Sequence, residues 1–326
     1  MKTAITGASG RIGNLLVRRL LENGHEVRAL VHRHSAGLEH LPIEIVRGDI
    51  LDPFVLDRLT GGCEVIFHLA AVVSVGSGMT ERLRRVNIGG TRCILEAARR
   101  QNVRRVVYFS TVHAFLEDRP DVPFDETRPL ALHTRMAYSR TKAEALRMAL
   151  QFSKEGRPEI VALCPTAVIG PDDPEPSLSG QMLIDFYRGN IPLLVPGGFD
   201  WVDVRDVAEG ALAAMHRGRN GHAYLLSGNY ATISGIAAMI RDVTGRPVPR
   251  HIAPYALLRM AAPLAEAYSR MTGTQPRFTR DALITLRRGS RFVSSEKARR
   301  ELEYRSRPLR DTIADACQWF AQHNYL

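Results

Sequence analysis

The sequence predicts an α/β fold, a doubly wound parallel sheet with a smaller, mainly helical C-terminal part. Three observations carry that expectation. Short β-branched runs alternate with helical patterns through the first half of the chain, so the strands are expected to be parallel and covered on both faces. A glycine-rich turn joins the first run directly to the first amphipathic segment. After residue 164 the texture changes: Pro165, Pro171, Pro174, Pro176, Pro192 and Pro196 break the alternation, and helical patterns dominate from Thr232 onward.

The elements follow in order. Candidate strands are Lys2–Thr6, Val27–Val31, Ile43–Arg47, Val65–Leu69, Val106–Ser110 and Ile160–Leu163. Between the first two, Ile12, Leu15, Leu16 and Leu20 share one helical face while Arg18, Arg19 and Glu22 point away, and Gly24 ends the helix. A longer helix is expected from Thr80 to Arg100 and another from Tyr138. Residues 165–196 read as loops. Helix and strand return at Asp206–His216 and His222–Leu226. Pro254–Met271 is apolar on most faces and reads as a packed helix or substrate lid, with a membrane-surface anchor as the alternative.

Composition narrows the function. The chain has 326 residues, 45% apolar and 24% charged, which fits a globular protein of one large or two unequal domains and argues against disorder or fibrous repeats. No run is apolar enough for a membrane span. The strand pattern starts at Lys2, so no signal peptide is expected. Cys63, Cys93, Cys164 and Cys317 form no C-x-x-C pair; they read as small buried hydrophobes in a reducing cytoplasm, with no metal site. The formal charge is +10. The arginine pairs are scattered through apolar patterns without interleaved aromatics, so nucleic acid is not the expected partner. A phosphorylated small molecule accounts for part of the excess.

The run Gly7-Ala8-Ser9-Gly10-Arg11-Ile12-Gly13 sits between a strand and a helix. Glycines there allow a tight turn and close approach to a pyrophosphate, which the free N–H groups of the helix start then bind. This is the dinucleotide-binding arrangement of a Rossmann-type sheet. Tyr138 and Lys142 are four residues apart, hence on one helix face. A phenol titrates near 10, and lowering it by three units takes about 4 kcal/mol, which a neighbouring ammonium and an oxidised nicotinamide help to supply. Past the second strand stand Val31-His32-Arg33-His34, with no carboxylate to receive a ribose 2′-hydroxyl. That favours NADP, with Arg33 the first ligand for the 2′-phosphate and Arg11 the second.

These motifs, in this order, resemble the short-chain dehydrogenase/reductase superfamily. The G-x-x-G-x-x-G spacing, Gly48-Asp49-Ile50 after the third strand, His68-Leu69-Ala70-Ala71 ending the fourth and Asn87-Ile88-Gly89-Gly90-Thr91 all match its extended members, the NAD-dependent epimerase/dehydratase family. The resemblance implies that Asp49 and Ile50 lie near the adenine and that Leu69, Ala70 and Ala71 lie beneath the cofactor. It further implies that Lys142 holds the nicotinamide ribose and that Thr111, second of the Ser110-Thr111 pair, is the catalytic hydroxyl. Ser110 would then be structural.

The substrate half discriminates among extended members. Many sugar-nucleotide enzymes carry N-V-Y-G after the sixth strand and an R-D-F motif later. Here Ala167 takes the Asn position in Pro165–Pro171, and Gly198-Phe199-Asp200-Trp201 lacks the Arg. Pro165–Pro171 instead resembles the dihydroflavonol 4-reductase-like subgroup, with Pro165 and Val168 expected against the cofactor. Val73, His113, Phe115, Leu183, Phe186 and Tyr187 are candidate substrate contacts, making an apolar pocket.

The expected protein is therefore a cytoplasmic NADP-dependent reductase of a carbonyl on an apolar substrate, or in reverse an alcohol dehydrogenase. A nucleotide-sugar epimerase or dehydratase with retained cofactor is the alternative, and a non-catalytic NAD(P)-sensing regulator is the alternative of another class. Residues 1–165 with about 202–226 form the expected cofactor domain, and 166–201 with 227–326 the substrate domain. Monomer and homodimer both stay open.

Overall fold

The computed structural model describes residues 1–35, 37–73, 80–117, 122–272 and 280–326. Seven parallel strands build the main sheet: β1 (Lys2–Thr6), β2 (Glu26–Val31), β3 (Glu44–Arg47), β4 (Val65–His68), β5 (Arg105–Phe109), β6 (Glu159–Pro165) and β9 (His222–Leu226). Their order is β3-β2-β1-β4-β5-β6-β9, so the winding reverses between β1 and β4. Helices cover both faces: α1 (Arg11–Glu22) and α7 (Val204–Arg217) on one, and α2 (Pro53–Thr60), α4 (Thr91–Arg100) and α5 (Ala137–Phe152) on the other. Near-continuous apolar strands such as Arg105–Phe109, buried at every residue, are what a sheet covered on both sides requires.

A second, three-stranded sheet runs β10-β8-β7, from β7 (Ala167–Ile169), β8 (Gly198–Asp203) and β10 (Asn229–Thr232). It packs with α6 (Leu178–Tyr187), α8 (Ile233–Thr244) and α12 (Leu309–Gln322) around Trp201, Phe186, Ile236, Ile313 and Phe320. Three further helices, α9 (Tyr255–Thr272), α10 (Arg280–Arg288) and α11 (Glu296–Leu302), complete the chain.

Three features depart from the sequence reading. The expected helix Thr80–Arg100 is α3 (Glu81–Arg84), a π-helical stretch at Arg85–Gly90, and α4. The proline-rich stretch read as loops holds β7 and α6, because Ser177 caps α6 by accepting from Gly180 N–H. The C-terminal residues Ala298, Leu302 and Tyr304, grouped above with the substrate domain, pack instead under the main sheet beside α7. Their apolar spacing marks a buried helix face but not which sheet receives it.

The charge excess also finds an unforeseen use. Arg28 in β2 and Arg105 in β5 are 8% and 7% exposed. Arg28 donates to the carbonyls of Arg58 (2.7 Å) and Gly61 (2.8 Å) at the end of α2. Arg105 donates to Ala214 O (3.0 Å) and Met215 O (2.8 Å) in the last turn of α7. Both cations meet the negative ends of helices.

Candidate active site

The carboxyl ends of β1 and β4 form the crevice where an open α/β sheet receives ligands. Gly7, just past β1, has φ +74°, and a Cβ on it would stand 2.8 Å from Ala70 N and 2.9 Å from the Leu69 carbonyl carbon. A Cβ on Gly13 would come within 2.1 Å of Gly7 O. The N-cap of α1 is Gly10, which brings no capping side chain, and the first turn holds no acid. The cradle is thus a bare, positively polarised helix start that only glycines permit. It fits a dinucleotide pyrophosphate.

Beneath the Leu69–Ala71 segment lies a closed hydrogen-bond chain. Thr91 Oγ1 donates to Asn87 O (2.8 Å), so it must accept from His68 Nε2 (2.9 Å). His68 Nδ1 is then the unprotonated nitrogen and accepts from Thr6 Oγ1 (2.8 Å), which itself accepts from Ala70 N–H (3.2 Å). Burial with Lys142 nearby pushes His68 down to about 3, so the ring is neutral. Asn87 adds a second clip: its Oδ1 accepts from Val72 N–H (2.7 Å), and its Nδ2 donates to Val72 O (3.0 Å) and Thr141 Oγ1 (3.2 Å). The floor of the cofactor crevice is thereby tied to α5. Asn87 was legible as a motif residue; its hold on α5 was not.

The fold brings the three expected catalytic residues together. Thr111 lies two residues past β5, and its Oγ1 accepts from His113 N–H (3.4 Å) as the cap of a short turn over Val112–Ala114. Tyr138 and Lys142 lie in the first turns of α5. Burial raises Tyr138 to about 12, and a hydrogen bond with the Thr111 side chain opposes that rise. Lys142 Nζ donates to Phe109 O (2.6 Å) and stands 5.0 Å above the Tyr108 ring, and burial brings it down to about 8. The expectation that Lys142 and an oxidised nicotinamide together depress Tyr138 concerns the loaded site; with the protein groups alone, desolvation governs the phenol, while Lys142 keeps its proton at pH 7 and donates a hydrogen bond to a carbonyl. Ser110 is buried beside the side chains of Tyr108 and Cys164.

Arg11 also needs correction. Its guanidinium does not serve the loop after β2 but turns to the second sheet. It donates to Val168 O (3.3 Å), Ser177 Oγ (3.1 Å), Ser179 Oγ (3.1 Å) and Gly170 O, and faces Asp173 at 3.6 Å. Asp173 Oδ2 in turn accepts from Ser177 N–H (2.9 Å) and Ser177 Oγ (2.7 Å), so Arg11 binds α1 to the start of α6. Arg33 is exposed beyond β2. The fold also returns a carboxylate to that edge, because Asp49 Oδ2 comes within 3.8 Å of His32 Nε2. Ile50 is buried in the core near α4, and Pro165 is buried at the end of β6. Ser9, Ile12, Leu69, Ala70, Ala71 and Val168 are partly exposed around the crevice.

Among the substrate candidates, Phe115, Leu183 and Phe186 are buried core residues, 4%, 1% and 0% exposed. Their apolar character serves packing against Phe124 for the first and the second-sheet core for the other two. Val73 is 66% exposed at the rim, and Tyr187 is half-buried under Arg246 (4.8 Å). His113 pairs through Nδ1 with Glu117 Oε1 (2.5 Å), and both line a small cavity with Val112, Phe124, Thr166 and Asp200. The carboxylate raises His113 against its burial. Glu117 carried no sequence signal, since only the turn after β5 brings it back to His113. No cluster of metal ligands occurs among the described residues.

A model of the NAD dependent epimerase/dehydratase family matches residues 3–227. Sterol demethylase protein B of Methylococcus capsulatus is 35% identical, with 100% of each chain covered. A putative dihydroflavonol 4-reductase of Synechocystis is 33% identical over 99% of this chain and 95% of its own. A 4-hydroxy-2-methyl-3-oxo-4-farnesyl-3,4-dihydroquinoline-1-oxide ketoreductase of Stigmatella aurantiaca is 31% identical over 97% and 95%. Among solved structures, the crystal structure of gox2253 superposes with a TM-score of 0.85 at 33% identity, covering 99% of both chains.

Proposed function

The chain belongs to the NAD dependent epimerase/dehydratase family, whose members are NAD(P)-dependent oxidoreductases, epimerases and dehydratases, and within it we propose an NADP-dependent reductase of a carbonyl on an apolar substrate. One observation carries the reading: the fold sets the phenol of Tyr138 in hydrogen-bond contact with the Thr111 hydroxyl, one helical turn from the buried ammonium of Lys142. A phenol keeps its proton at neutral pH, which suits donation to the strongly basic oxygen that forms when a carbonyl is reduced. Thr111 orients that oxygen toward Tyr138. Lys142, anchored to Phe109 O, is placed to hold the nicotinamide ribose. Gly7, Ser9, Gly10, Ile12 and Gly13 hold the pyrophosphate, and Arg33 the 2′-phosphate. When bound, the cofactor supplies the hydride, and its oxidised, cationic ring favours the phenolate left on Tyr138. In the reverse direction the same residues serve an alcohol dehydrogenase.

The names of the relatives support an apolar substrate, since one acts on a farnesylated oxo compound. The missing Asn at 167 and the missing Arg before Asp200 speak against a sugar-nucleotide diphosphate. The test is NADPH consumption with a panel of apolar ketones, dihydroflavonols and nucleotide-sugars, with Tyr138→Phe as the blank. Consumption of NADPH with a ketone, falling about 100-fold or more in the blank at unchanged NADPH affinity, is the expected result. Isomerisation of a nucleotide-sugar without net cofactor change transfers the chain to the epimerases. Cofactor binding with no turnover of any of them leaves a sensor.

A further inference from the structure

Exposed apolar side chains gather on α9 and the stretch that leads into it. Leu193, Ile252, Leu257 and Met260 are 45%, 52%, 56% and 73% exposed. Two hydrogen bonds, Leu194 N–H to His251 O (2.9 Å) and Ala253 N–H to Leu194 O (2.9 Å), pair Leu194 with Ile252, while Leu194 and Ala253 are buried. On α9, Leu258 and Ala262 pack inward against Leu283 of α10. Leu257 and Met260, three residues apart, therefore share the outer face. Residues 245–263 contain Arg246, Arg250 and Arg259 and no Asp or Glu. Arg250 and Arg259 are exposed beside the apolar side chains.

We propose that this face docks onto an anionic lipid bilayer. Apolar side chains beside long cations are what the boundary between headgroups and acyl chains accommodates: the leucines and methionine enter, and the arginines reach back to phosphate. The acid-free segment within a chain of charge +10 gives the electrostatic complement to an anionic leaflet. An anionic bilayer offers both halves of the match, acyl chains for Leu257 and Met260 and phosphates for Arg250 and Arg259. The docked face is close to the chemistry. It is carried by α9, which packs on α10, and Thr285 of α10 donates to Met136 Sδ (3.7 Å), the residue that caps the helix of Tyr138. The surface stands independently of the proposed reduction, and its test needs no substrate.

The full chain is spun with vesicles of phosphatidylcholine alone and of phosphatidylcholine with a quarter phosphatidylglycerol. Binding is expected to the anionic vesicles, weaker by about tenfold or more to the neutral ones, and reduced by salt. Arg250→Gln/Arg259→Gln should weaken it by about fivefold per charge, and Leu257→Glu/Met260→Glu should abolish it. All four side chains are exposed, so unchanged thermal unfolding of both variants shows that folding is not what was lost. Equal binding by wild type and Leu257→Glu/Met260→Glu, or no wild-type binding to anionic vesicles, overturns the proposal. Self-association removed by the same substitutions, without vesicle binding, assigns the face to a second copy of the chain and overturns it too.

Discussion

Acidification should act on this protein through His68 more than its eleven histidines as a set would suggest. Its ring is 1% exposed, and both nitrogens are committed in a chain that fixes Nδ1 as an acceptor. Its folded pKa of about 3 lies below the ordinary 6.5, so as pH falls the unfolded chain takes up a proton first. The stability that neutral His68 lends is complete above about 6.5 and drains as pH falls from there toward 3, at about 1.4 kcal/mol per unit. Between pH 7 and 5 the loss comes to about 2 kcal/mol. His68→Gln does not titrate and gives the reference. It carries its own offset from disturbed hydrogen bonds, so the slope against pH is what is read. Urea unfolding of both proteins at pH 7, 6 and 5 should show the wild type losing about 2 kcal/mol more than the variant. The other histidines, including His113 with its raised pKa, are common to both and cancel. Parallel pH profiles would refute the fixed neutral tautomer. NADPH affinity of the folded protein should not change through His68 over the same range, because the folded ring stays neutral down to about 3.

Three further outcomes follow from the site. Gly7→Ala places a Cβ 2.8 Å from Ala70 N at φ +74°, so NADPH affinity measured by fluorescence titration should fall beyond detection while secondary structure by circular dichroism is kept. Arg11→Met leaves Asp173, 1% exposed, with Ser177 but without its cation, and should cost about 3 kcal/mol in chemical unfolding. Because Arg11 faces α6, the ratio of NADPH to NADH affinity should stay constant in that variant; a selective loss of NADPH would return Arg11 to the phosphate. Arg33→Glu should weaken NADPH about tenfold or more and spare NADH. Equal loss of both would mean that the Asp49 carboxylate beside His32, and not Arg33, reads that end of the ribose.

Much of this molecule can be read without coordinates. The glycine spacing, the apolar strands and the i,i+4 placement of Tyr138 and Lys142 are local facts: each depends on backbone turns, period or helix pitch within a few residues. Local chemistry therefore places the cradle and the catalytic helix. The destinations of long side chains are not local. Arg11 reads in sequence as a phosphate ligand and Arg28 and Arg105 as surface cations, and each is consumed by carbonyls that packing brings from 30 to 159 residues away. Phe115 and Phe186 look like pocket walls and are core, because an apolar residue fits either and only the neighbouring layer decides. The environment of Tyr138 is non-local for the same reason: spacing reveals the ammonium, but desolvation depends on everything that closes over the ring. Sequence thus determined the fold class, the glycine cradle and the shared helix face of Tyr138 and Lys142, since short-range geometry suffices for those. Tertiary structure alone decided which charges are buried, which tautomer His68 holds and how the two sheets are tied together, since burial and long-range hydrogen bonds are properties of the packed whole.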